Sequence, residues 1–198
     1  MGFNYDRTVI AYHGCDEEVA EKVLAGKGEL EYSSNDHDWL GKGIYFWEYG
    51  ASRALDWATW RSSIGGPGVK IKKPAVVGAI INLGNCFDLL DTKNTELLGK
   101  MFVTYRNHSA TSGLELPQNS KSHKFDTDHT KRKLDCAVVN FAIEAIEATE
   151  KIKYQSVRCV FTEGKPAFEG SHIMHKSHIQ IAVRDRSAIL GYFRPALT

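Results

Sequence analysis

LGKGIYFWE, residues 40–48, places a lysine between two glycines and then runs directly into apolar and aromatic side chains. A Walker phosphate loop needs GxxxxGK[ST] between a strand and a helix, and a dinucleotide fingerprint needs GxGxxG opening a helix. Here Gly41-Lys42-Gly43 leads into Ile44, Tyr45, Phe46 and Trp47, which do not open a helix, so neither pattern is present. Two options remain. The stretch is a turn feeding a buried strand, or its aromatic rings form a wall against a ligand.

The flanking segments set this stretch in an α+β domain. RTVIAYHG, residues 7–14, reads as a strand closed by a glycine. In CDEEVAEKVLAGK, Val19, Val23 and Leu24 recur at helical spacing and Gly26 is a natural stop. LEYSSNDHDW is rich in turn formers, so a loop is expected between this helix and the strand GIYFW. Beyond the strand, Ala51, Ala54, Leu55 and Ala58 line one face of a second helix, and IGGPGVKIKK is a flexible turn. PAVVGAIINLG is strongly β-prone. The next segment, CFDLLDTKNTELLGKMFVTY, begins as a turn and becomes helical. Around residues 104–133 the chain is polar, histidine-rich and weakly periodic, which reads as an insertion or mobile loop. DCAVVNFAIEAIEA is an amphipathic helix, and VRCVFTEG and HIQIAVRD are two further strands joined by KPAFEGSHIMHKS. Strands mixed with segregated helices, without a repeat, give an α+β class and one domain over residues 1–198.

Composition narrows the function classes. Hydrophobic residues make up 42% and charged residues 25% of 198 residues, enough for an unstapled core. A net charge of +1 excludes bulk electrostatic capture of a polyanion, so any nucleic-acid contact must come from a local patch. Cys15, Cys86, Cys136 and Cys159 are scattered and form no CxxC pair, so neither a structural zinc site nor a disulfide framework is expected. Reduced cysteines, an N-terminal stretch without an apolar signal core, and no membrane-length apolar run lead to the expectation of a cytoplasmic protein.

Four of these segments, in order, resemble the conserved segments of the poly(ADP-ribose) polymerase-like ADP-ribosyltransferase family: AYHG (11–14), GKGIYF (41–46), SRALDWA (52–58) and HIQIAVRD (178–185). PAVVGAIINLGNCFDL (74–89) is similar to the family strand that ends in an LGN turn and an acidic-leucine pair, and small stand-alone bacterial toxins of this kind look similar from end to end. The resemblance implies a split β-sandwich with flanking helices and NAD, as substrate, in the cleft. It implies that His13 bonds the adenosine ribose, where a neutral imidazole offers one donor and one acceptor to a diol. Gly14 matches the glycine whose backbone clamps the nicotinamide amide, and Tyr45 the tyrosine that packs on the nicotinamide side. One residue further along than the family spacing, Trp57 falls on the ring-stacking position and Ala54 replaces a serine, removing one hydrogen bond worth about 1 kcal/mol. Ser33, Asn35 and Asp36 fall in the adenosine-side loop, where they are either ligand contacts or turn residues.

The departure from the family is Gln180, counted back from Asp185, which stands where the family has its catalytic glutamate. Glutamine keeps an acceptor oxygen for the nicotinamide-ribose 2′-OH but can take no proton. Polymer elongation is therefore not expected, whereas single transfer is, with either the acceptor bringing its own base or a neighbour such as Glu163, Glu169 or His175 helping. The implied activity is mono-ADP-ribosylation of a macromolecule by a toxin or defence effector, whose partners include NAD and an antitoxin protein. The alternatives are an NAD glycohydrolase and a non-catalytic NAD or ADP-ribose binding module. Between Thr104 and Lys133, six basic residues stand against three acidic ones, with Tyr105 and Phe125 interleaved, a composition suited to single-stranded RNA or DNA. A solvated loop has the same composition.

Overall fold

A computed structural model describes residues 7–64, 70–121 and 129–196. The elements are β1 (Thr8–Asp16), α1 (Glu17–Leu24), β2 (Ile44–Glu48), α2 (Ala51–Ile64), β3 (Pro74–Asn82), β4 (Cys86–Asp88), α3 (Thr92–Thr111), β5 (Asn119–Ser120), β6 (Lys131–Arg132), α4 (Lys133–Glu150), β7 (Ser156–Phe161), β8 (His178–Val183) and β9 (Ile189–Phe193). The class is mixed α+β. Seven strands form one sheet in the order β4-β7-β8-β2-β1-β3-β9, while β5 and β6 form a separate hairpin. Only the β4–β7 pair is parallel.

The sheet is two well-zipped halves with a weak seam. Nine residue pairs join β1 to β3 and five join β2 to β8, but β1 meets β2 only at Ala11–Glu48 and Tyr12–Trp47. Beyond Tyr12 the two strands part, for local reasons. The edge of β2 that should continue along β1 is already taken, because Ser33 exchanges both backbone hydrogen bonds with Gly43. At Tyr45 the carbonyl lies 2.7 Å from Nδ1 of His13, so a side chain replaces the backbone ladder.

Residues paired across a ladder point to the same face. One face carries Val9, Ala11, Phe46, Val77, Ile181 and Val183 and packs under α1 through Ala20 and Val23. The other carries Tyr12, Trp47, Gln180 and Ala182. Helix α2 covers this second face over β1 and β3, and α4 covers it over β7 and β8. Helix α1 starts on Asp16, whose carboxylate accepts from Glu18 N–H, and stops at Gly26 with φ 67°. Helix α2 lies flush on β1 because Gly14 has no side chain; a Cβ there would run into the Ala54 carbonyl oxygen.

The structure departs from the sequence expectations in several places. Strand β1 is not closed by Gly14 but runs on to Asp16, still paired with β3 through Asp16–Pro74. The expected insertion around 104–133 is shorter at its start, since α3 continues to Thr111. Tyr105 packs on Phe141 of α4 at 5.2 Å and Ser109 is buried, so docking against α4 overrides the weak periodicity. Lys124, Phe125 and their neighbours at 122–128 lie outside the described residues. Strands β4 and β9 are additions at the sheet edges, too short or too irregular to show an alternating pattern. Among the described residues no helix is long and apolar enough to cross a membrane. All four cysteines are free thiols, and burial pushes Cys15 and Cys86 up to about 12, which leaves them unreactive near neutrality.

A buried ion cluster ties the second half of the sheet together. Arg158 of β7 donates to Glu48 of β2 through Nε and Nη2, and to Asp88 of β4 at 3.0 Å, reaching across the intervening β8. Its side chain is 4% exposed and that of Glu48 3%, so each charge depends on the other.

Candidate functional site in the strand split

The seam is where the first expected residues meet. Ile10 C=O accepts from Tyr49 N–H, so the even residues of β1 turn their peptide groups toward β2. By that alternation the N–H and C=O of Gly14 face the gap just past the last ladder pair. His13 stands beside it, half-buried, with its ring 5.6 Å from Phe46. Donation from Nδ1–H to Tyr45 C=O fixes the tautomer and leaves Nε2 as a lone-pair nitrogen. Burial holds this imidazole below its ordinary value of 6.5, so it is neutral.

The other expected residues divide. Tyr45 does not present a free face. Its hydroxyl donates to Gly41 C=O at 2.6 Å and accepts from Leu40 N–H at 2.8 Å, and its ring packs in the α4 core. The GKG turn of the opening stretch is therefore held from within by Tyr45, and Gly41, at φ 74°, is pressed against Asn140. The expected adenosine-side loop is likewise spent on itself. Asp38, which sequence reasoning passed over, accepts from Ser33 Oγ at 2.6 Å and Asn35 N–H at 3.0 Å. Asp36 pairs with Lys133 at 2.7 Å, pinning the loop to the start of α4. Ser33, Asn35 and Asp36 thus build the wedge that opens the seam.

Gln180 and Trp57 belong to a second group on the α2-covered face. Gln180 is cross-strand from Trp47 on one side and Cys159 on the other, and is 8% exposed. Trp57 sits 5.7 Å from Trp47, at 48°. Arg53 of α2 lies 5.7 Å from the Trp47 ring and donates to Glu163 Oε2 at 2.9 Å. His178 lies two residues before Gln180 on β8, hence on the same face. Four side-chain atoms here, Trp47 Nε1, Arg53 Nε, His178 Nε2 and Gln180 Oε1, have no hydrogen-bond partner among the described residues. Each such buried group costs about 1–3 kcal/mol. Four such atoms on one patch, one of them on the Arg53 guanidinium already paired with Glu163, group unpartnered polar chemistry beneath α2.

Of the expected helpers, Glu163 falls in this group, while Glu169 and His175 are exposed and outside it. Trp47, Arg53 and His178 were missed. The period-2 alternation of HIQIAV would have found His178, because it shares the face of Gln180. A cavity of about 580 Å³ lies elsewhere, between α3, α4 and β7, lined by Trp39, Phe102, Arg132, Val139 and Phe161. It adjoins the polar patch through Trp39 and Phe161, which flank His178 at 6.2 and 5.9 Å, through Arg132, and through Cys159, the cross-strand neighbour of Gln180. Among the described residues no cluster of three or more His, Cys, Asp or Glu is arranged to hold a metal ion.

The two neutral histidines make stability pH-dependent. Burial also holds His178 below 6.5. Between the folded value and 6.5 the unfolded chain binds more protons, so stability rises with pH across that window. It is complete above 6.5 and falls as the pH drops toward the folded values. Carboxylates held low by hydrogen bonds, such as Asp16 and Asp185, act in a separate window below 3.8. The urea midpoint should therefore decline between pH values of about 7 and 5. A flat midpoint across that interval would show that neither imidazole is held neutral by the fold.

No family model matches the chain, and no solved structure matches it. A segment of 37 residues is 51% identical to part of the uncharacterized protein MJ0359 of Methanocaldococcus jannaschii. That segment covers 19% of this chain and 17% of the archaeal protein, so the chain spans under a fifth of the relative it matches.

Proposed function

We propose that the protein is a mono-ADP-ribosyltransferase that moves ADP-ribose from NAD to a macromolecule, in an ADP-ribosyltransferase-type split β-sandwich. The observation that carries this reading is the opening of the sheet at His13-Gly14. There the ladder stops after two pairs, a glycine turns its peptide groups into the gap, and a neutral imidazole stands beside it. A carboxamide needs one acceptor and one donor in line, which one peptide edge supplies, and a ribose diol suits the remaining imidazole nitrogen. Gln180 adds a buried oxygen that lacks a donor, which a ribose hydroxyl provides.

Chemically, the residues bind and orient more than they react. Cleavage of the glycosidic bond develops positive charge on the ribose, and a fixed oxygen dipole beside the 2′-OH stabilises that charge without a proton transfer. Tyr45, which the resemblance places on the nicotinamide side, serves this arrangement through its carbonyl and its turn. Trp57, beside Trp47, is the aromatic face available for stacking.

For the acceptor, nucleic acid is favoured over protein by the basic segment around 104–133, with part of that composition already engaged. Tyr105 is packed on α4 and Lys133 is paired with Asp36, whereas Arg106, Lys121 and Lys131 are exposed. A toxin or defence role, restrained by an antitoxin protein, fits an enzyme of this size acting in the cytoplasm. The test is NAD labelled in its adenosine half, incubated with the protein and a mixture of RNA, DNA and cell protein. Label on a macromolecule supports transfer. Free ADP-ribose makes the protein a glycohydrolase, and bound but intact NAD makes it a binding module.

A further inference from the structure

Gln180 leaves the proposed reaction without a group to receive the acceptor's proton, and the same strand face contains one that can. His178 is buried, with its side chain 4% exposed. Its Nδ1 lies 2.6 Å from the Lys176 carbonyl, so Nδ1 carries the hydrogen and donates it there. Nε2 is then a lone-pair nitrogen that is itself buried and has no partner among the described residues. Glu163 Oε2 stands 3.5 Å from Nδ1 and is itself held by Arg53. A neutral histidine oriented through Nδ1 by an acceptor, backed by a carboxylate and bare at Nε2, is the arrangement of a general base.

We infer that His178 takes the acceptor's proton in the transfer step, doing what Gln180 has no group to do; the inference rests on the ADP-ribosyltransferase reading above. In that step the bond between ribose C1′ and the pyridine nitrogen breaks, and its electron pair leaves on neutral nicotinamide. The acceptor oxygen or nitrogen bonds C1′, and its proton passes to Nε2. The imidazolium that forms is countered by Glu163 across Nδ1 and returns the proton to solvent.

Three charged groups face His178 from the elements packed around it. Glu163, in the segment after β7, favours the protonated ring, while Arg53 of α2 and Arg132 at the start of α4 disfavour it. Lys176 contributes its backbone carbonyl. Burial among Trp39, Trp47 and Phe161 favours the neutral base. The ring is thus held neutral, with Glu163 placed to offset the charge when it takes a proton.

The test has three parts on the full chain. Ring-nitrogen NMR of the wild-type protein should show His178 protonated at Nδ1, bare at Nε2, and titrating below 6.5. The wild-type transfer rate should rise with pH along that same titration. His178→Gln, measured with NAD and a saturating acceptor mixture, should lose transfer by about 100-fold or more, lose the pH dependence, and bind NAD within about threefold of wild type. A ring protonated at Nε2, or a variant that keeps the wild-type rate and pH profile, overturns the inference while leaving the transferase reading intact. Should His178→Gln fail to fold, a wild-type rate that does not follow the ring titration overturns it equally. A wild-type protein that neither binds nor cleaves NAD removes the transferase reading and the inference with it.

Discussion

Gln180→Ala should lower ADP-ribose transfer by roughly 10- to 1000-fold, the range for losing one transition-state hydrogen-bond partner, while the fold holds or gains stability. The two halves of that expectation come from one atom. Oε1 of Gln180 is buried and unpartnered among the described residues, so the native fold carries its desolvation cost without return. Removing it should leave Tm unchanged or raise it. A residue kept for packing behaves in the opposite way, losing stability on truncation to alanine. Gln180→Glu should stay folded and active and gain NAD hydrolysis, because a carboxylate can activate water. Nicotinamide release and acceptor labelling, measured beside thermal unfolding for the three forms, separate these cases. An inert Gln form beside an active Glu variant would make this chain a silenced enzyme.

The largest effect on stability is expected at Arg158. Arg158→Met leaves Glu48 and Asp88 facing each other without a cation, since Arg7 reaches Glu48 only from the exposed rim, at 3.4 Å. Breaking a buried pair from one side costs about 3–5 kcal/mol. For a chain of this length that is roughly 6–20 °C in Tm. Glu48→Gln combined with Arg158→Met should recover much of the loss, because the uncompensated charge is gone. Additive losses in the double variant would mean that Arg158 acts through packing and that the charges are independent.

Most of the architecture was legible because each element carries its own pattern. The β-branched run of β3, the Ala54-Ala58 face of α2 and the Gly26 stop of α1 are local signals that tertiary packing reinforces. The seam was only half legible. His13 and Gly14 stand out as a histidine-glycine pair on a strand, though β1 runs past them to Asp16, and the wedge that parts β1 from β2 is knotted by Asp38, where no periodicity reports a side chain that bonds its own loop. Tyr45 shows the limit of residue-by-residue carry-over, since its identity fits while its hydroxyl is committed to the turn. Arg53 and Glu163 are 110 residues apart, and a sequence gives no sign that two such charges meet under a helix. His178 was within reach, because strand alternation alone puts it on the face of Gln180.

The central claim is that NAD binds where β1 leaves β2. Backbone and side-chain NMR during a titration with NAD tests it most directly. The account predicts saturable shifts concentrated at the Gly14 amide, the His13 ring and the Gln180 side-chain amide, with slowed exchange of the Gly14 N–H and little change at Ser33, Asn35 and Asp36. Saturable shifts confined to the cavity between α3 and α4, or none at millimolar NAD, would contradict it.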